Sequence, residues 1–243
     1  LLYALELAHL NGPWDHPDND NKRNGLLRYS QGTADNGFNL TGWAYAANWN
    51  STDQIAQRAI NAVGRFGAID PTDGGNAERL ALTGKWQQTG ADSGTKVNAY
   101  AVRGRMTLWN NFTYFLDDAT NGDQFKQTDK RFMTGVNASH TLLGNWAGHD
   151  VENTLGTQVR NDQTQVGLFK TVNRRILSTT RLDDVDEASA GFYYENVFRW
   201  TGSRPASRMA FTRSFSVWSC GDFAPAMWKM CSSTIVPCRS SAP

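Results

Sequence analysis

The chain has 243 residues, 40% hydrophobic and 19% charged, with a formal net charge of +1. That balance excludes a disordered chain, and the lack of any basic stripe argues against nucleic-acid binding, which needs clustered cations to displace counterions. No apolar run reaches the roughly 18 residues of a spanning helix, so a helical membrane protein is excluded as well.

Aromatic residues make up 12% of the chain, and Gly numbers 22. This enrichment suits β-structure whose strands meet an interface. The chain opens Leu1-Leu2-Tyr3-Ala4-Leu5, without Met or signal peptide, as though in mid-strand, which predicts a fragment of a longer protein. Strands are expected over 1–10 and 25–31, joined by residues 11–24. Within that link Asp15, His16, Asp18 and Asp20 hint at a calcium site but lack the glycine and distal Glu of an EF-hand loop. A turn over 32–36, rich in Gly, Asp and Asn, leads to a strand over 37–49. Its outward face is ambiguous, because Phe38 and Leu40 share one parity and Trp43, Tyr45 and Trp49 the other. Residues 50–77 read as a long loop with a short helix around 54–62. The loop carries Asp53, Arg58, Arg65, Asp70 and Asp73, and is either a solvated connection or a ligand-capturing surface.

Alternation is clearer downstream. In 79–88, Leu80, Leu82 and Trp86 oppose Arg79, Thr83, Lys85 and Gln87. After a turn over 89–95, residues 97–116 set Tyr100, Val102, Met106, Leu108, Phe112, Tyr114 and Leu116 against Arg103, Arg105, Thr107, Asn111 and Thr113. Arg103 and Arg105 are therefore expected on the polar face, pairing with carboxylates or meeting an anionic ligand. A loop over 117–131 precedes a strand over 132–142, with Phe132, Val136, Ala138 and Leu142 in phase. Residues 144–150 turn into a strand over 151–160, where Val151, Leu155 and Val159 alternate with polar residues. A final long loop over 161–186, holding Asp183, Asp184 and Asp186, leads to the last strand, 187–200. There Ala188, Ala190, Phe192, Tyr194, Phe198 and Trp200 share one face.

Eight strands thus alternate between long and short connections. Most of these strands reach the roughly 9–11 residues needed to cross a bilayer obliquely. Outer-membrane barrels sort their connections this way, with short turns inside and long loops outside. Since backbone polar groups in lipid must all be paired, a spanning sheet has to close. The fold expected is all-β: an antiparallel transmembrane β-barrel, here an incomplete arc of about eight long strands.

Residues 201–243 differ. They contain all three cysteines, four of the seven prolines, and five Lys/Arg against one acid, Asp222. The cysteine spacing fits no zinc pattern. This stretch is read as an irregular Cys/Ser/Pro-containing tail, out-of-frame or foreign to the preceding sequence, or as a flexible terminus.

Several stretches of 1–200 are also familiar. The segments YALELAHLNGPWDHPDNDNKRN (3–24), RFGAIDPTDGG (65–75), NAYAVRGRMTLWNNFTYFLDD (98–118), NGDQFKQTDKR (121–131) and ASAGFYYENVFRW (188–200) together resemble the barrel of TonB-dependent outer-membrane receptors. The resemblance implies a large barrel in a Gram-negative outer membrane, in contact with outer-membrane lipid. It implies uptake of a scarce small-molecule ligand such as a siderophore, metal complex, vitamin or sugar. Energy would come from the TonB complex through a plug absent from this sequence. No cofactor, metal or nucleic acid is implied. No catalytic motif stands out: there is no GxSxG elbow, no phosphate-cradling loop, and no ligand spacing among His9, His16, His140 and His149. The chain is therefore read as a transporter rather than an enzyme, with Arg65, Asp70, Asp73, Arg103 and Arg105 as candidate ligand-binding residues. Two other readings share the alternation: a passive porin, and a secreted all-β carbohydrate-binding or carbohydrate-hydrolysing domain with its apolar faces packed together.

Overall fold

The computed structural model describes residues 1–52 and 54–198, and the backbone of two later segments, Arg213–Cys220 and Lys229–Ser232. Asp53, Arg199, Trp200 and the remainder of 201–243, including Cys238, lie outside the described residues. Eight long strands follow one another: β1 (Leu2–Leu10), β2 (Asp20–Gly32), β3 (Asn36–Asn50), β4 (Gly74–Thr89), β5 (Ser93–Asn110), β6 (Phe125–Trp146), β7 (His149–Val172) and β8 (Arg175–Phe198). Two short strands, β9 (Arg213–Cys220) and β10 (Lys229–Ser232), extend the same sheet. The tail expected to be irregular thus contributes backbone to the sheet. Every strand pairs antiparallel with its chain neighbours. The helix expected at 54–62 is one 3-10 turn, Gln57–Ala59, continuing into α1, Ile60–Val63.

The sheet is a single layer. Among the described residues only Ala47, Val102 and Val197 are buried hydrophobics, so no second layer packs on the sheet to make a sandwich core. The sheet is also open, because among the described residues β1 pairs with β2 alone.

Register sorts the side chains more sharply than parity does. One row runs Leu5, Gly25, Ala44, Leu80, Arg103, Phe132, Gln163 and Asp186. Rows on the same face contain Tyr3, Leu27, Tyr29, Phe38, Leu40, Leu82, Trp86, Val136, Leu155, Val159 and Phe192. Their larger side chains stand open, with Leu5 74% and Phe192 61% exposed. The opposite face carries Glu6, Lys22, Asn24, Trp43, Arg79, Tyr100, Asp129, Arg131, Arg160, Asp162 and Glu187. On that face Tyr100 covers Gly135 and Tyr193 covers Gly156, each where a Cβ would collide with the ring.

Boundaries shift, with the strand expected over 97–116 ending at Asn110 and residues 125–131 joining β6 rather than a loop, and two further expectations are corrected. Residues 161–186 are not a loop. They complete β7 and β8, which turn at Asn173 and Arg174, both with left-handed backbone (φ 47° and 65°) as a two-residue hairpin demands. Connections at one end of the sheet are therefore 11–19, 51–73, 111–124 and the tight 173–174. Those at the other end are 33–35, 90–92 and 147–148.

The second correction concerns Arg103 and Arg105. Arg103 lies between Leu80 and Phe132, and Arg105 between Glu78 and Lys130, all on the open apolar face. Tyr100, Val102 and Met106 occupy the polar face instead. Parity tells which residues share a face, but only the neighbouring strands' register tells which face it is. The register also settles β3: Phe38 and Leu40 are on the apolar side. Trp43 and Tyr45 are on the polar side with rings 6.3 Å apart, and the Arg79 guanidinium lies 5.6 Å from the Trp43 ring.

Candidate functional site

At the end bearing the longer loops, polar side chains join the connections into a rim. Asp15 N–H donates to Phe66 O (2.9 Å), and the Trp14 and Phe66 rings lie 6.1 Å apart, so 11–19 grips 51–73. Tyr114 Oη donates to Gln54 O, bringing in 111–124. At the centre sits Gln124, 1% exposed. Its Nε2 faces Thr72 Oγ1 (2.7 Å), Asp73 Oδ1 (3.1 Å) and Asp70 Oδ2 (3.3 Å). Its Oε1 accepts from Arg174 N–H (2.9 Å) and Thr171 Oγ1 (3.1 Å). Asn111 donates from its backbone to Asp73 Oδ2 (3.0 Å) and from its amide to Asp70 Oδ2 (2.8 Å). Arg174 closes the ring by donating to Thr72 O (2.6 Å) and Asp73 O (3.1 Å), while its guanidinium lies 4.9 Å from the Trp109 ring.

This network includes two of the sequence candidates. Asp73 is fully buried and Asp70 half-buried, and both spend their oxygens on the rim. Through these bonds they hold the loops together. Arg65 is exposed in the same 51–73 loop. Arg103 and Arg105 are exposed on the apolar face and do not join the rim. Gln124, Thr171 and Arg174 escaped sequence reasoning. A lone Gln at the end of a loop carries no periodic signal, and Thr171 and Arg174 lie within 161–186, which local patterning reads as loop.

An ion pair also braces 111–124 against β7. Lys170 Nζ donates to Asp118 Oδ2 at 2.8 Å, and the Asn121 and Thr120 N–H groups add to it. The Lys170 ammonium, then those donors and the Asn121 amide, hold the Asp118 carboxyl well below the ordinary carboxylate range. Asp123 is pushed up by desolvation, but the N–H groups of Asp117, Asp118 and Leu116 outweigh that and bring it down.

On the polar face, strands β5–β8 frame a hollow of about 530 Å³. Tyr100, Asn137, Gln158, Arg160, Asp162 and Glu187 line it. Arg160 and Asp162, two apart on β7, form an ion pair through Asp162 Oδ2. Asp162 Oδ1 is buried without a hydrogen-bond partner. Among the described residues no three His, Cys, Asp or Glu side chains come together. The hollow presents hydrogen-bond donors and acceptors beside an aromatic ring. No protein-family model matches the chain, and no curated protein is significantly similar to it.

Proposed function

We propose that this chain forms part of the wall of an outer-membrane β-barrel through which a scarce solute is taken up, in the manner of a TonB-dependent receptor. One observation carries the membrane reading: the apolar band on the open face runs obliquely across the register rows. Near β1 it spans Leu7, Leu5 and Tyr3, and on β4 it spans Leu80, Leu82 and Trp86. The row of Leu5 and Leu80 has become Gln163 and Asp186 by β7 and β8, where the band has slid to Val159 and Leu155, Ala190 and Phe192. Strands tilted in a barrel cross a flat membrane in this way, because a level plane cuts successive strands at shifted positions.

The margins of the band agree with that reading. Towards the longer loops, the next row contains Arg23, Glu78, Arg105, Lys130 and Asp184. Towards the short turns, Tyr29 and Phe38 have rings 5.9 Å apart, with Trp86 opposite Phe38. Charged and aromatic borders of this kind flank the apolar belt of outer-membrane barrels. Arg103, at the loop-side edge, is long enough to turn its head toward the charged row while its stem covers apolar surface.

The full chain, unfolded in urea and diluted into detergent or phospholipid vesicles, is expected to gain β-structure and protease resistance only when lipid or detergent is present. A soluble, monomeric, β-rich chain in plain buffer would overturn the proposal. The energised mode of uptake is tested in the encoding gene, where a plug-coding segment is expected upstream. A porin-like gene without one would leave passive diffusion in its place.

A further inference from the structure

We propose that a groove on the open face of β2–β4, with the cations at its loop-side edge, binds a lipid whose headgroup is a phosphate monoester. The inference rests on reading that face as the one turned to the membrane, and it adds which lipid is held and where.

The register builds the groove. Gly42 lies between Leu27 and Leu82, and one row nearer the longer loops Gly25 and Ala44 lie between Leu5 and Leu80. Small residues thus floor, and leucines wall, a space of about 690 Å³. A Cβ added at Gly42 would meet no atom within 4 Å, so the space is open there. Among the described lining residues Arg103 alone is charged, and it stands at the loop-side edge beside Leu80 and Phe132.

Arg105 is two residues further along β5, and Lys130 faces it from β6. Residues two apart on a strand are about 7 Å apart and neighbouring strands about 5 Å, so the three heads can converge on one anion. All three side chains are exposed, and among the described residues none forms an ion pair. Glu78, opposite Arg105, forms none either. Gln165 separates Lys130 from Asp184, accepting from the first (3.1 Å) and donating to the second (2.9 Å). Cations crowded beside an apolar phase repel one another with little water to screen them, and an anion relieves that repulsion.

Charge selects the headgroup. Three cations less the Glu78 carboxylate leave +2 at the edge of the groove. A phosphate monoester carries about −1.5 to −2 near neutral pH and accepts paired hydrogen bonds from guanidinium groups. A phosphodiester brings a single negative charge, and a zwitterionic headgroup adds an ammonium that the arginines oppose. A second copy meeting this face through its own would bring up like cations. The phosphate therefore sits among Arg103, Arg105 and Lys130, and an acyl chain runs from it over Ala44 and Gly42 toward the short turns.

The test uses the full chain folded in neutral detergent micelles, with its β-content checked first, so failure of the membrane reading shows as a failure to fold there. Folded protein is mixed with dioleoyl phosphatidic acid, phosphatidylglycerol or phosphatidylcholine at equal mole fraction, and retained lipid is counted by native mass spectrometry. Phosphatidic acid is expected to bind about tenfold more tightly than phosphatidylcholine and several-fold more tightly than phosphatidylglycerol. Arg103→Gln combined with Arg105→Gln is expected to erase that preference, and Glu78→Gln to strengthen it. Gly42→Leu, which fills the groove without altering charge, is expected to weaken phosphatidic acid binding several-fold. Arg131→Gln removes a cation from the polar face and leaves binding unchanged. Equal retention of the three lipids overturns the proposal, as does a preference that survives the double substitution, ignores Gly42→Leu or falls as far in Arg131→Gln. Displacement of the lipid by millimolar inorganic phosphate would mark a site for a soluble anion, and a lipid-free dimer in the same spectra would give the groove to a second copy. Either result also overturns it.

Discussion

Gln124 shows how one side chain can organise a whole edge of this sheet. Its amide nitrogen serves residues of 51–73 and its amide oxygen serves Thr171 and the turn at Arg174, so a single planar group ties three connections. Gln124→Ala leaves several buried polar atoms without partners at once. It is expected to cost about 3 kcal/mol, or to free the 51–73 loop locally. Urea unfolding in detergent, with hydrogen exchange at the Arg174 amide, measures which. Asp118 gives a pH-dependent counterpart. Its carboxyl titrates lower in the folded chain than in the unfolded one, so its contribution is complete above the ordinary carboxylate range of about 4. That contribution fades as pH falls below this range. The 111–124 loop should therefore loosen in acid, and Lys170→Gln should move the loosening to higher pH. Carboxyl chemical shifts of Asp118 across the acid range read this directly.

At the scale of single elements, the β7–β8 hairpin separates geometry from tethering. Arg174 both supplies a left-handed turn position and reaches back to Thr72 and Asp73. Arg174→Gly keeps the turn and removes the tether, whereas Asn173→Val strains the turn and keeps the tether. The second is expected to cost about 1–2 kcal/mol and the first to mobilise the rim. Limited proteolysis within 51–73, set beside thermal unfolding, distinguishes them. This hairpin is also where the sequence was hardest to read. Asn161, Asp162, Gln163, Thr164 and Gln165, and later Asp183, Asp184 and Asp186, look like loop because both faces of the strand are polar there. Period-two hydrophobicity marks a strand only where one side meets an apolar phase. Strands β4 and β8 were legible because Leu80, Leu82 and Trp86, and Ala190, Phe192 and Tyr194, alternate with polar residues. In β5 the alternation was legible but its direction was not. Tyr100, Val102 and Met106 form the greasier row of β5, yet Leu80 and Phe132 flank Arg103 on the other row, so it is Arg103's row that faces the apolar side. Of the rim, Asp70 and Asp73 were visible as notable residues, but their partners depend on long-range register that no local spacing encodes.

At the scale of the whole molecule, the two faces make opposite demands on substitution. Leu82→Arg, in the middle of the apolar band, is expected to destabilise the chain folded in lipid by about 2–4 kcal/mol, while Thr83→Arg on the polar face costs far less. Equilibrium folding into vesicles gives both values, and equal costs would count against an outward-facing band. The open side of β1 has a consequence of its own. From Leu2 to Leu10, amide and carbonyl groups directed away from β2 meet no strand among the described residues. In water such a border is merely sticky, but in hydrocarbon each stranded group becomes a debt of several kcal/mol. Within a bilayer the arc therefore behaves as a cohesive end: it recruits a further strand, from its own polypeptide or another copy, until the ladder of backbone hydrogen bonds runs on unbroken.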